Sequence, residues 1–241
     1  MAKIRLFQPA PAWGLPNISP ACMKLESFLR MNEIDYEIAP FDLSVAPTGK
    51  VPYIEDEGVL LGDSTLIIEH LKNKYQRDLD AHLSPAEKAV SVAFRRMLKE
   101  HTYWAMVHSR YAEDHNWAIY RELIMPLLLP GHPREIQEQA VEGFRVAIRA
   151  QLQGHGLGRH ASSDVYKLGI EDLKAIADFL GDRRFFFGDR PSLIDLTILA
   201  YVGNIVEVPL MSPLQEYGLS RPNLVEYLRR SRTQLFPAAG L

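Results

Sequence analysis

The chain has 241 residues, 47% of them hydrophobic and 24% charged, a balance that excludes a disordered chain and leaves room for two ordinary domains. Its formal charge of -3 excludes the broad basic surface of a nucleic-acid or anionic-membrane binder, so small molecules or proteins are the expected partners. The single cysteine, Cys22, excludes an internal disulfide and a cysteine-built zinc or iron–sulfur site, and it fits a reducing compartment.

The chain passes from Met1 through Lys3 and Arg5 into a strand-like run without the apolar stretch of a secretion signal. No segment offers the roughly 20 apolar residues of a membrane span, so the expected location is cytoplasmic. Ile4 and Leu6 mark a first strand, and a Pro-rich loop over residues 9–18 leads to a helix over 20–32. Strand signals follow near 36–41, 53–55 and 59–61. A helix over 65–75 closes the unit, with Leu66, Ile67, Leu71 and Tyr75 predicted to cover one face. This order reads β-α-β, then β-β-α.

Beyond a polar connector over 76–83, strand signals nearly vanish. Ser84-Pro85-Ala86-Glu87 combines an N-cap residue, Pro at the first helical position and Glu at the third, which predicts the start of a long helix. Further helices are predicted over 134–151, 164–180, 193–206 and 223–232, separated by Gly and Pro clusters. The expected organisation is an α/β unit over 1–77 followed by an all-helical unit over 84–241.

Ser19-Pro20-Ala21-Cys22 sits where the first loop enters the first helix. Unpaired N–H groups and partial positive charge there stabilise a thiolate, to which Ser19 can donate its hydroxyl; simple helix capping is the competing role. Cys22 shares a helical face with Leu25 and Leu29, which predicts a buried thiol rather than a nucleophile. Val51-Pro52 precedes a strand, where a cis bond turns the Val51 backbone outward and an ordinary loop proline does not. Asp63 and Ser64 precede the 65–75 helix, so one of them caps it while its N–H groups can receive a carboxylate and Asp63 an ammonium. Trp104, His108, Tyr111 and His115 are spaced to form one helical stripe, lining either a substrate pocket or a packed interface. His108 and His115 carry no tight metal motif, and no metal is expected. Ser192 and Asp195 read as a structural capping box.

Taken in order, these motifs resemble the glutathione transferase superfamily over essentially the whole chain. Ser19-Pro20-Ala21-Cys22 is similar to the start of the first helix in glutaredoxins and omega-type transferases, with Ser at the nucleophile position. Val51-Pro52 is similar to the family's cis-proline element, and Asp63-Ser64 to its acidic-Ser pair for the γ-glutamyl group. Gly158-Arg159-His160, Leu180-Gly181-Asp182, Phe186-Phe187-Gly188-Asp189 and Pro222-Asn223-Leu224 resemble the failed-axon-connections and metaxin-like branch with its bacterial relatives.

The resemblance implies an α+β thioredoxin-like, glutathione-binding domain over 1–77 and an all-α C-terminal domain over 84–241. It implies glutathione as cosubstrate, with Ser19 as catalytic residue and Val51, Pro52, Asp63 and Ser64 as the binding residues. The implied reaction is conjugation of the cofactor's thiol to a small electrophile in detoxification, with a homodimer as one assembly state. A noncatalytic binding or protein-interaction module of the same fold is the alternative.

Overall fold

The computed structural model describes residues 3–237; the outermost positions of the two expected units lie outside the described residues. Four short strands come first: β1 (Ile4–Phe7), β2 (Tyr36–Ala39), β3 (Tyr53–Asp56) and β4 (Val59–Gly62). They form one sheet in the order β2-β1-β3-β4, with β1 and β2 parallel and β3 antiparallel to both β1 and β4. Helix α1 (Pro20–Met31) crosses between the parallel strands, and α2 (Ser64–Tyr75) follows β4.

The helical part begins with α3 (Pro85–Met97), closed at its N-terminus by the predicted box: Ser84 N–H donates to Glu87 Oε2 at 2.8 Å, and Glu87 N–H to Ser84 Oγ at 3.3 Å. A π-helical turn, Leu98–Thr102, leads directly into α4 (Tyr103–Tyr111). The remaining helices are α5 (Asp114–Leu128), α6 (Arg134–His155), α7 (Ser162–Leu180), α8 (Leu193–Val206), α9 (Pro213–Leu219) and α10 (Pro222–Leu235). Two of these, α5 and α9, have no counterpart among the helices predicted from sequence. Pro126 lies inside α5, masking a helix whose apolar face nonetheless holds it in place.

Two expectations fail on detail. Leu66 is exposed; the other members of the predicted face hold, with Ile67 and Leu71 buried and Tyr75 packed against the core, and Ile68 joins them. The stripe through Trp104, His108, Tyr111 and His115 does not exist as one helical face. The chain leaves the helix after Tyr111 and restarts at Asp114, so His115 belongs to another helix.

One continuous apolar core runs through both parts of the chain. It joins Ile4, Leu6 and Ile54 of the sheet to Met23, Phe28 and Leu29 of α1, and these to Ile198, Leu199 and Val202 of α8. The approach of α1 to α8 is close: a Cβ at Gly203 would meet the Met23 methyl at 4.0 Å and Glu207 Oε2 at 3.3 Å. Every residue of α8 from Ile194 to Val206 is buried, which makes it the central helix around which the rest is assembled.

Candidate functional site

Strand register brings the three candidate segments to one end of the sheet. Phe7, at the C-terminal end of β1, pairs with Tyr53, the first residue of β3; Tyr53 in turn pairs with Gly62, the last residue of β4. The loop to Ser19, the Val51-Pro52 bond and the Asp63-Ser64 step therefore all leave the sheet on the same side.

Ser19 is the N-cap of α1, with extended backbone at φ -96° and ψ 115°. Its Oγ accepts the Cys22 N–H at 3.5 Å, the long end of a capping bond, so the hydroxyl proton is not committed by this contact. The loop ahead of it is held from both directions. Asn17 accepts the Ser19 N–H at 2.9 Å and donates to the Pro9 carbonyl at 2.8 Å. Arg110 of α4 donates to the Ile18 carbonyl at 2.8 Å and to both the carbonyl and side chain of Asn204 in α8. Asn204 donates to the Asn17 carbonyl at 3.1 Å. Neither Arg110 nor Asn204 lies in a sequence motif; Asn204 stands out only as a polar residue among apolar neighbours, and Arg110 has no such signal.

Cys22 is fully buried, as its helical position predicts. Burial pushes its thiol up to about 12, outweighing the lowering from the Ser19 hydroxyl, so it stays protonated at neutral pH. Cys22 is accordingly expected to resist a disulfide reagent in the native protein and to react at once in denaturant. A thiol count by absorbance under both conditions checks this, and rapid native labelling would contradict it.

The Val51-Pro52 bond is cis. Tyr53, directly after it, stacks on Phe7 with ring centroids 4.4 Å apart, which ties the bend to the end of β1. Gly62 faces Thr48 and Pro47 of the preceding loop so closely that a Cβ there would lie 3.1 Å from Thr48 Cγ2.

Asp63 is the N-cap of α2 and sits at φ 64° and ψ 113°, a conformation a non-glycine residue adopts only when its surroundings enforce it. Its Oδ1 accepts the Thr65 N–H at 2.8 Å and the Leu66 N–H at 3.4 Å. Its Oδ2 accepts the Lys99 ammonium at 3.1 Å, from the π-helical turn. Burial alone would raise this carboxyl, but the Thr65 N–H and Lys99 prevail and hold it below the usual range. Ser64 beside it is buried.

The former stripe residues serve packing. Trp104 stacks on His155, His108 touches Ser162 and Glu113 at 3.0 and 3.3 Å, and Tyr111 packs among Trp117, Tyr120 and Phe144. Trp13 of the first loop leans on Tyr120 with centroids 5.9 Å apart, while Leu15 and Ile18 bury themselves beside Val107 and Tyr111. Among the described residues no group of three or more His, Cys, Asp or Glu is placed to hold a metal ion, and no helix is long and apolar enough to cross a membrane.

Residues 20–116 match the glutathione S-transferase N-terminal domain family, and residues 169–231 match the glutathione S-transferase C-terminal domain family. The chain is 35% identical over 240 residues to isoprene-epoxide–glutathione S-transferase of Rhodococcus sp. (strain AD45), covering 96% of this chain and 98% of that protein. The chain belongs to the glutathione transferase superfamily. It is also 28% identical over 243 residues to failed axon connections of Drosophila melanogaster, covering 97% of this chain and 58% of that protein. Metaxin-1 of Homo sapiens is 27% identical over 260 residues, with 99% and 52% covered. The transferase fold is seen again in beta-etherase LigF of Sphingobium sp. strain SYK-6, at 15% identity and a TM-score of 0.66 over 98% of this chain and 99% of that one. In this family member Ser19 stands one residue ahead of the matched N-terminal segment, at its junction with the Trp13 loop.

Proposed function

We propose that this protein binds glutathione at the shared end of its sheet and activates the cofactor's thiol for conjugation to a small electrophile. The observation that carries this reading is the register pairing that gathers the Ser19, Val51-Pro52 and Asp63-Ser64 segments at one edge. Ser19 donates its hydroxyl to the thiolate, aided by the N-terminus of α1. Val51 pairs its backbone with the cysteinyl unit beside Pro52, and Asp63 and Ser64 receive the γ-glutamyl end. Lowering a thiol pKa by one unit takes about 1.4 kcal/mol of preferential thiolate stabilisation, within reach of one charge-assisted hydrogen bond and a helix end. The epoxide named in the Rhodococcus relative is the first electrophile to test. A homodimer belongs to the same proposal, supported by apolar Val59, Leu60, Leu66 and Val92 lying exposed on β4, α2 and α3.

Glutathione is expected to give heat in a calorimetric titration and to raise the melting temperature, since a ligand of the native state stabilises it. Asp63→Ala is expected to weaken that binding about tenfold, the worth of one charge-assisted contact, while its lost cap costs about 1 kcal/mol of stability. Unchanged affinity in the variant removes Asp63 from the site. The noncatalytic reading is favoured by one feature, the packing of Trp13, Leu15 and Ile18 into the helical part, where they fill space an electrophile would need. Absence of both heat and stabilisation at millimolar glutathione would establish that reading in place of the enzyme.

A further inference from the structure

Lys24 lies on α1, just past Cys22, and only 6% of it is exposed. Its ammonium donates to Thr65 Oγ1 at 3.3 Å, in the first turn of α2, and meets no carboxylate within 4.0 Å among the described residues. The charged groups acting on it most strongly are Lys99 of the π-helical turn, Asp63 at the N-cap of α2, and Arg95 and Arg96 of α3. Three of these are cations. The one carboxylate, Asp63, is already engaged with Lys99 and the α2 amides. A buried ammonium in such company is costly unless an anion joins it. Burial, reinforced by Lys99, pulls Lys24 down to about 7, so its charge in the free protein is only partly retained near neutrality.

The hydroxyl that Lys24 touches belongs to the turn whose N–H groups and dipole attract an anion, so a carboxylate docking there meets a buried ammonium that no carboxylate of the described residues neutralises. We propose that Lys24 is the counter-ion for a ligand carboxylate at the first turn of α2, and that it takes up a proton as that carboxylate binds. The proposal rests on the glutathione reading, in which the γ-glutamyl end supplies the carboxylate. The sign follows from linkage. A group whose pKa rises on binding favours the complex fully while it is protonated in the free protein, and that advantage is lost as pH rises above the free value. Affinity is therefore level below about pH 7 and falls above it, toward a limit of about tenfold per pH unit. Asp63 does not produce this trend, because it is held ionised throughout that range.

The test is calorimetry with S-methylglutathione, whose blocked thiol cannot release a proton, in phosphate and in Tris from about pH 6 to about pH 8. Wild-type heats are expected to diverge between the buffers at the upper pH, by an amount approaching one proton taken up, and to converge at the lower. Lys24→Met is expected to abolish the uptake and weaken binding about tenfold at the lower pH, where the wild-type ammonium is charged. Lys24→Arg is expected to keep affinity and lose the uptake, and it decides the matter if a thermal melt shows the Met variant unfolded. Unchanged uptake in Lys24→Arg, or unchanged uptake and affinity in a folded Lys24→Met, overturns the role of Lys24 and leaves the glutathione reading standing. No binding to the wild-type protein at millimolar ligand overturns both.

Discussion

Replacing Ser19 by alanine is expected to lower kcat/KM for conjugation of glutathione to a small epoxide by about 10²-fold, the worth of one hydrogen bond to a thiolate. The loss is specific to the reaction. The Ser19 hydroxyl accepts only a 3.5 Å bond from the Cys22 N–H, so removing it costs about 1 kcal/mol of capping at most, too little to empty the folded state. Cys22→Ala is the informative companion. Its thiol is fully buried and held protonated, so its removal leaves turnover nearly intact and costs about 1 kcal/mol in packing. A steady-state assay of both variants, with melting curves alongside, separates the roles. Activity lost with Cys22 and kept without Ser19, in folded proteins, would assign the chemistry to the wrong residue here.

The largest expected loss of stability comes from Asp195→Ala. This carboxylate is buried at the start of α8 and accepts four hydrogen bonds: Phe186 N–H and Tyr227 O–H at 2.8 Å on one oxygen, Ser192 N–H at 2.8 Å and Ser192 O–H at 2.7 Å on the other. It thereby ties the α8 N-terminus to the turn before it and to α10. Burial pushes its carboxyl up, against the pull of these donors, so the site depends on all of them being present. Alanine leaves the Phe186 and Ser192 amides and the Tyr227 hydroxyl unpaired in the interior, at an expected cost of about 3–5 kcal/mol. Ser192→Ala removes one donor and is expected to cost about 1 kcal/mol. Urea unfolding with unchanged slope measures both, and a loss below about 1 kcal/mol for Asp195→Ala would show that the box is ornamental to α8.

By itself the sequence determined most features whose cause is local, although the Ser212-Pro213 start of α9 escaped it. Capping residues at Ser19, Asp63, Ser84 and Ser192 marked four helix starts, because a cap acts within three residues of itself. Strand signals and the change to helical patterns after residue 76 gave the element order, and the spacing of Cys22, Leu25 and Leu29 placed these three in the core, although α1 is buried at every position from 22 to 29. The same local logic misled where the period ran across a break, as it did from Tyr111 to His115, since spacing alone does not reveal that a helix has ended. Tertiary structure alone decided how the loop before Ser19 is held and what surrounds Asp63. Arg110 reaches Ile18 across 92 positions, Asn204 reaches Asn17 across 187, and Lys99 reaches Asp63 across 36. These are single polar contacts between segments brought together by the burial of α1 against α8, and a contact of that kind leaves no period or motif in either segment. The charge of Lys24, which meets no carboxylate among the described residues, belongs with them, because which groups surround a buried side chain is fixed only when the chain around it has folded.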